Sequence, residues 1–216
     1  MKTPEPDDKL YLHYNYIHKL CQIGAEQIRA NIGKPDIIIA IGGGGFIPAR
    51  ILRSFLKMPN EKNIPIQAIG LSLYEDLGTG EVGTIGKEVI RTQWLDFGAL
   101  ATHFDTLIGK NILIVDEVDD TRTTLHYALS ELEKDVREQA EKLGRTNEKT
   151  IFSIFVLINK NKPKKADLPK EMFEEGRYFA PRECEDSWVN FPWEAIDIDT
   201  VSDLKEISCD LVKLFP

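Results

Sequence analysis

Cysteine is scarce in this chain. Only Cys21, Cys184 and Cys209 occur among 216 residues, an odd number spaced far apart, so neither a disulfide framework nor a zinc site is expected. Long apolar runs are missing too. Ile151–Ile158 is among the longest, well short of the roughly 18 residues a membrane-spanning helix needs, so no membrane association is expected. The opening residues Met1–Asp8 are polar and carry no apolar signal core. A reducing, cytoplasmic setting follows as the expectation. Positive charge is in deficit, with 27 Lys and Arg against 35 Asp and Glu and a formal net charge of −8. That balance argues against nucleic acid as a partner, because phosphate backbones are held by basic surface. A small phosphate ligand can still be bound locally. Internal repeats and low-complexity tracts are absent, and the length fits a single domain over residues 1–216.

What is present is organised around Asn111–Leu125. Ile112–Val115 is an unbroken aliphatic run of the kind a doubly covered parallel strand requires. Four carboxylates follow it at once: Asp116, Glu117, Asp119 and Asp120. So dense a cluster at the end of a buried strand is costly unless a cation, a polyhydroxylated ligand or water shares the site. Thr121, Arg122, Thr123 and Thr124 then open a helix, where unpaired N–H groups and the macrodipole favour a phosphate. Acid for sugar hydroxyls or a metal, beside amides for phosphate, together point to a phosphorylated sugar.

The remaining elements frame that stretch. Tyr14–Ile32 has helical apolar spacing, stopped by Gly33 and Pro35. Asp36–Ile41 is a buried strand running into Gly42, Gly43, Gly44 and Gly45, with Pro48 in the first turn of the following helix. Such a loop lets backbone amides approach an anion. It is not a dinucleotide fingerprint, because in either register Ile47 or Pro48 stands where the third glycine belongs. Asn63–Tyr74 alternates as a strand. Glu75–Gly86, rich in glycine, reads as the tip of a long hairpin between Leu71–Tyr74 and Glu88–Leu95, able to close over a site or simply to lie on the surface. Leu125, Leu129, Leu132, Val136, Ala140 and Leu143 mark one buried helix face ended by Gly144, with His126 on the surface side. Thr150–Ile158 is another core strand, giving βαβ alternation, and Asn159–Lys165 sets a basic cluster at its end. Trp188, Phe191 and Trp193 follow, either as a lid on a flat ligand or as ordinary core aromatics. Val201–Leu214 closes the chain as an amphipathic helix.

The strand, acidic pair, spacer and Asp120-Thr121-Arg122-Thr123-Thr124 resemble the signature of the type I phosphoribosyltransferases. The pattern around Trp188, Val189, Pro192, Trp193 and Glu194 resembles the base-binding hood of members that act on 6-oxopurines. Phrases such as Ile69-Gly-Leu-Ser-Leu-Tyr74 and Arg91-Thr-Gln-Trp-Leu95 resemble the fungal branch that takes xanthine or hypoxanthine and guanine, and xanthine is favoured. The resemblance covers residues 10–197. It implies an α/β fold with a mostly parallel twisted sheet flanked by helices, a flexible hairpin lid near 74–90 and a hood formed largely by 160–200.

It also implies transfer of the phosphoribosyl group of phosphoribosyl pyrophosphate (PRPP) to the purine, giving XMP, or GMP or IMP, and pyrophosphate, with Mg2+ as cofactor and a homodimer as the assembly. By that resemblance Asp116 and Glu117 bind the ribose and, with Glu194 nearby, magnesium. Asp120 is the catalytic base, and Asp120 through Thr124 hold the 5′-phosphate. Gly42–Gly45 take pyrophosphate in a loop that often carries a non-proline cis peptide. Ser72, Tyr74 and Arg91 belong to the lid. Lys160 meets the 6-oxo group, Trp188 stacks on the base and the Val189 backbone meets its position 2 edge. Two departures stand out. Gly43 replaces a basic residue of the pyrophosphate loop, so charge must come from magnesium, Arg50 or Arg91. Arg122 replaces a glycine, so either its turn tolerates a side chain or Arg122 itself contacts the ligand. A non-catalytic PRPP-sensing regulator on the same fold is the rival reading. Such a regulator is expected to lack Asp120 or the hood, and both are present here.

Overall fold

Ile37–Ile41 and Asn111–Asp119 lie side by side as parallel strands at the centre of one sheet. Their aliphatic residues leave no face for water, so both sides of the sheet must be covered. The computed structural model describes residues 9–74, 88–95 and 106–196. In chain order these form β1 (Lys9–Tyr11), α1 (Tyr14–Asn31), β2 (Ile37–Ile41), α2 (Phe46–Leu56), β3 (Ile66–Tyr74) and β4 (Glu88–Gln93). Then come β5 (Asn111–Asp119), α3 (Thr123–Leu143), β6 (Ile151–Lys160), α4 (Lys170–Glu174), β7 (Tyr178–Phe179), β8 (Arg182–Cys184) and β9 (Trp188–Asn190).

The main sheet runs β4-β3-β2-β5-β6-β7, with β8 also paired to β6. Every pair is parallel except β3 with β4, the two arms of the expected hairpin. Side chains alternate across the sheet. Ile37, Ile39, Ile41, Ile112, Ile114 and Ile154 face α3 through Leu125, Leu129, Leu132 and Val136. Ile38, Ala40, Leu113, Val115 and Phe155 face α1 and α2 through Ile17, Leu20, Ile28, Leu52 and Leu56. A near-continuous aliphatic run is what a strand with two buried faces demands, and the helix stripes match it.

Several boundaries differ from the sequence expectation. Strand β5 does not stop at Val115 but continues to Asp119, because Asp116, Val118 and Asp119 keep their places opposite Val156, Ile158 and Asn159. Strand β6 likewise runs on to Lys160. Pro65 delays β3 to Ile66, since proline lacks the N–H a ladder needs. Leu143, at the helix end, is 58% exposed and not part of the core. The hairpin tip, Cys209 and Val201–Leu214 lie outside the described residues.

Strand order reverses between β2 and β5. From β2 the chain goes outward to β3 on one side, and from β5 it goes outward to β6 on the other. The loops leaving β2 and β5 therefore part company, and a crevice opens at the carboxyl ends of the two strands. Gly42–Gly45 and Asp116–Thr124 both lie there.

Packing between α1 and β6 leaves no spare room. A Cβ on Gly24 would sit 2.1 Å from Cε2 of the fully buried Phe155. Gly24→Ala is therefore expected to destabilise the protein by about 1–3 kcal/mol through overpacking, although alanine alone favours a helix by about 1 kcal/mol. Urea unfolding measures this, and an unchanged or raised midpoint would contradict the close packing.

Candidate active site

The glycine loop is shaped by close backbone contacts. Gly43 has φ of 67°, a conformation side chains rarely adopt. A Cβ on Gly45 would lie 2.4 Å from the Val115 carbonyl oxygen, and one on Gly44 would lie 1.9 Å from Cδ of Glu117. The loop after β2 and the acidic pair of β5 are thus in direct contact, as two parts of one ligand site must be. Every peptide bond among the described residues is trans. Neither arginine considered for the pyrophosphate charge turns to this loop. Arg50 donates to Ser54 Oγ at 2.8 Å, and Arg91 pairs with Glu131 of α3 while lying 4.1 Å over the Trp94 ring. Arg91 joins the second arm of the hairpin to α3, helped by Trp94 Nε1 donating to Asp135 at 2.6 Å.

Asp116 is buried and accepts the Glu117 N–H at 3.0 Å. Burial first, and the neighbouring Glu117 charge second, push its carboxyl well above the usual range. Glu194 is raised for the same two reasons, burial and Glu117. The Glu117 Oε2 atom is buried without a hydrogen-bond partner. An orphaned oxygen between carboxyls that resist ionisation fits a hard divalent cation. Among the described residues no group of three or more His, Cys, Asp or Glu is placed to hold a metal ion by itself. Magnesium takes one or two protein carboxylates and completes its shell with water and substrate phosphates, so Asp116 and Glu117 are the residues here that could hold it.

Asp120 stands at the mouth of the crevice. Lys162 Nζ is 2.6 Å and Lys160 Nζ 3.3 Å from its Oδ1, and Lys162 also donates to Asp186 at 2.8 Å. Burial opposes ionisation of Asp120, but the contact with Lys162 and the Lys160 charge outweigh it and hold the carboxyl below its ordinary value. Lys160, Lys162 and Lys164 alternate at period two, the pattern that sends extended side chains to one side. That periodicity was available in the basic cluster and marks Lys162 and Lys164, which the sequence reading did not single out. Asp186 and Tyr178 carried no such signal.

The phosphate loop follows. Arg122 is the residue before α3 and has φ of 68° and ψ of −4°, a left-handed conformation costing a non-glycine residue roughly 1–2 kcal/mol. Its side chain turns back into the protein: Nε lies 2.9 Å from Asp119 Oδ2, and Nη2 lies 2.8 Å from the same oxygen. The turn thus carries a side chain where the resemblance implies glycine, with its guanidinium on Asp119. No side chain caps α3, and the first helical N–H groups have no intrahelical acceptor. Thr121 and Thr123 hydroxyls lie 3.1 Å apart beside them.

The hood is stitched to the amino terminus. Strands β1 and β9 pair in parallel, and Leu12 N–H donates to the Asn190 carbonyl at 3.1 Å. Because alternate residues of a strand bond to opposite sides, the N–H and C=O of Val189 turn away from β1. Trp188 is 68% exposed, whereas Trp193 is half-buried and stacks on Phe191 at 4.8 Å against the core. The two tryptophans therefore part: Trp188 presents a free aromatic face and Trp193 is packing. Ser72 and Tyr74 close β3, at the root of the hairpin.

A parallel sheet with a glycine loop, an acidic pair and an open helix terminus at its reversal point is a nucleotide-type α/β site. The chain belongs to the phosphoribosyl transferase domain family, whose pattern matches residues 13–188. It is 65% identical over 194 residues to xanthine phosphoribosyltransferase 1 of Saccharomyces cerevisiae, covering 89% of this chain and 93% of that one. Identity to the hypoxanthine-guanine phosphoribosyltransferase of Schizosaccharomyces pombe is 60%, over 88% of this chain and 91% of that one. A hypothetical protein from Neisseria gonorrhoeae, crystallised with bound ppGpp, superposes with a TM-score of 0.68 at 36% identity, covering 92% and 96% of the two chains. The fold is the type I phosphoribosyltransferase fold expected from the motifs.

Removing the Lys162 ammonium takes away one of the two cations that hold the Asp120 carboxyl down and leaves burial less opposed. In Lys162→Ala the Asp120 carboxyl is expected to titrate at higher pH than in the parent, read by carbon NMR of its side chain. A midpoint that stays put would show that the ion pair does not set the charge of Asp120.

Proposed function

We propose that this protein is a purine salvage enzyme that transfers the phosphoribosyl group of PRPP to a 6-oxopurine, with xanthine favoured. XMP and pyrophosphate are the products. The observation that supports this is acid for sugar hydroxyls and open amides for phosphate at one strand-order reversal, with Lys160 and Lys162 joining Asp120 there to Asp186, two residues before the exposed Trp188. Identity of 65% to a xanthine phosphoribosyltransferase supports the base preference. Identity of 60% to a hypoxanthine-guanine enzyme supports the second reading, with GMP or IMP formed. The ppGpp of the Neisseria structure, a guanine nucleotide rich in phosphate, is in keeping with both.

In this reading a bond forms between a purine ring nitrogen and C1 of the ribose while the bond from C1 to the pyrophosphate oxygen breaks. Asp116 and Glu117 hold the ribose hydroxyls. The amides and hydroxyls of Thr121 to Thr124 hold the 5′-phosphate, and Gly42–Gly45 admit the pyrophosphate. Trp188 stacks on the base, and the outward N–H and C=O of Val189 meet its edge. Asp116 and Glu117, with Glu194 beside them, would hold Mg2+, which would supply charge to offset the leaving pyrophosphate. Asp120 accepts the purine's ring proton. While Lys160 and Lys162 rest on Asp120 it is ionised but weakly basic. A 6-oxo group that draws Lys160 toward itself relieves Asp120 of one cation and raises its proton affinity, so base binding and base strength rise together. A cytoplasmic homodimer is the assembly we expect.

Incubating the protein with magnesium, PRPP and each of xanthine, hypoxanthine, guanine and adenine tests the activity directly. Nucleotide is expected from xanthine above all, and none from any base would overturn the enzyme reading in favour of a PRPP-sensing regulator. Asp120→Asn should lower turnover by about 10²-fold or more, and near-normal turnover would remove its role as base. Thr124→Ala should raise the Michaelis constant for PRPP by about tenfold, the order of one hydrogen bond to a charged group, and an unchanged value would exclude that contact.

A further inference from the structure

Asp119 ends β5 with no exposed surface, yet nothing in the proposed chemistry uses it. Three cations and donors converge on it. Arg122 contacts Oδ2 through Nε at 2.9 Å and Nη2 at 2.8 Å, the Tyr178 hydroxyl donates to the same oxygen at 2.6 Å, and Lys164 Nζ lies 3.4 Å from Oδ1. The Arg122 guanidinium also lies over two rings, 5.2 Å from Phe173 and 5.5 Å from Tyr178. Two of its donor nitrogens are thus turned into the protein, onto Asp119. Among the described residues only Asn60 shares its left-handed backbone without being glycine, and asparagine adopts that conformation more readily than arginine. The surrounding backbone is tied to the same cluster. Lys164 Nζ donates to the carbonyls of Asp119 at 2.7 Å, Asp120 at 3.1 Å and Lys160 at 2.8 Å, and Lys165 N–H donates to Thr121 O at 3.0 Å.

We propose that Asp119 is a positioning residue for the phosphate loop: by gripping Arg122 from below, it holds that residue in the left-handed turn that aims the Thr121 to Thr124 amides into the crevice. The Arg122 side chain then does from beneath what a glycine would do by freedom of φ. This rests on the transferase reading for its kinetic consequence, though not for its structural one. A rival is a direct contact of Arg122 with the ligand, which makes any loss of the guanidinium equally harmful. Another is a plain core ion pair, which affects stability but not the loop.

Two substitutions at one position separate these. Arg122→Ala keeps a Cβ, loses the grip and is expected to raise the Michaelis constant for PRPP by about tenfold, the order set by an unsupported left-handed turn, with kcat changed less than twofold. Arg122→Gly also loses the charge but adopts the turn unaided, so its Michaelis constant should rise by less than a third as much. Asp119→Asn should behave like Arg122→Ala, and should add little when combined with Arg122→Gly. Equal losses in the alanine and glycine variants, or a fall in kcat alone, would overturn the proposal. Hydrogen exchange reads the loop without any turnover, because His126 N–H donates to Arg122 O at 2.9 Å and Lys165 N–H to Thr121 O. Both amides should exchange faster in Arg122→Ala than in Arg122→Gly, and identical exchange in the two would overturn the clamp by itself. A wild-type protein that forms no nucleotide but shows this exchange pattern would sink the transferase reading and leave the clamp standing. If Asp119→Asn does not fold, the two Arg122 variants still decide the matter.

Discussion

A parallel sheet whose strands are apolar on both faces must be covered twice, and nearly everything else here follows from that constraint. Helices α1 and α2 take one face and α3 the other, so the aliphatic stretches of β2 and β5, at the centre, are dry. Water and ligand can reach these strands only at their ends. Because the connections from β2 and β5 leave in opposite directions, the carboxyl ends open into a crevice, and the polar residues of the site have nowhere else to stand.

That placement has an electrostatic consequence. Acidic residues that continue a buried strand are desolvated, and Asp116, Asp119 and Asp120 meet the problem in three ways. Asp116 is pushed toward its neutral form beside Glu117, whose orphaned oxygen suits a cation. Asp119 is answered from within the protein by Arg122, Tyr178 and Lys164. Asp120, nearer the surface, is answered by Lys160 and Lys162. Three carboxylates within five residues thus serve different ends because their surroundings differ. Breaking a buried pair of the Asp119 kind typically costs about 3–5 kcal/mol, which makes that residue the structural root of the segment.

Much of the fold was legible in the chain. The aliphatic runs Ile37–Ile41 and Ile112–Val115, the spacing Leu125, Leu129, Leu132, Val136, and the glycine loop ahead of Pro48 all became the elements they suggested. Local periodicity and turn chemistry carry such information because each depends on a few neighbouring residues. The extension of β5 through Asp116 and Asp119 was not legible, because carboxylates in a run of text read as loop. Pairing with β6 holds them in the strand, and no single segment encodes a pairing. Asp186 and Tyr178 were silent for the same reason: 59 residues separate Tyr178 from Asp119.

The sequence by itself determined the kinds of chemistry on offer: strand-forming aliphatics, helix faces, an acidic pair, hydroxyls at a helix start, a basic cluster and tryptophans near its end. Residue type and short-range spacing suffice for that, since they set local conformation and charge. Tertiary structure alone decided which tryptophan is exposed and which is packed, which lysines reach Asp120, and that Arg122 meets Asp119. Those outcomes depend on burial and on contacts between distant segments, and a side chain's role is settled only when folding chooses what lies beside it.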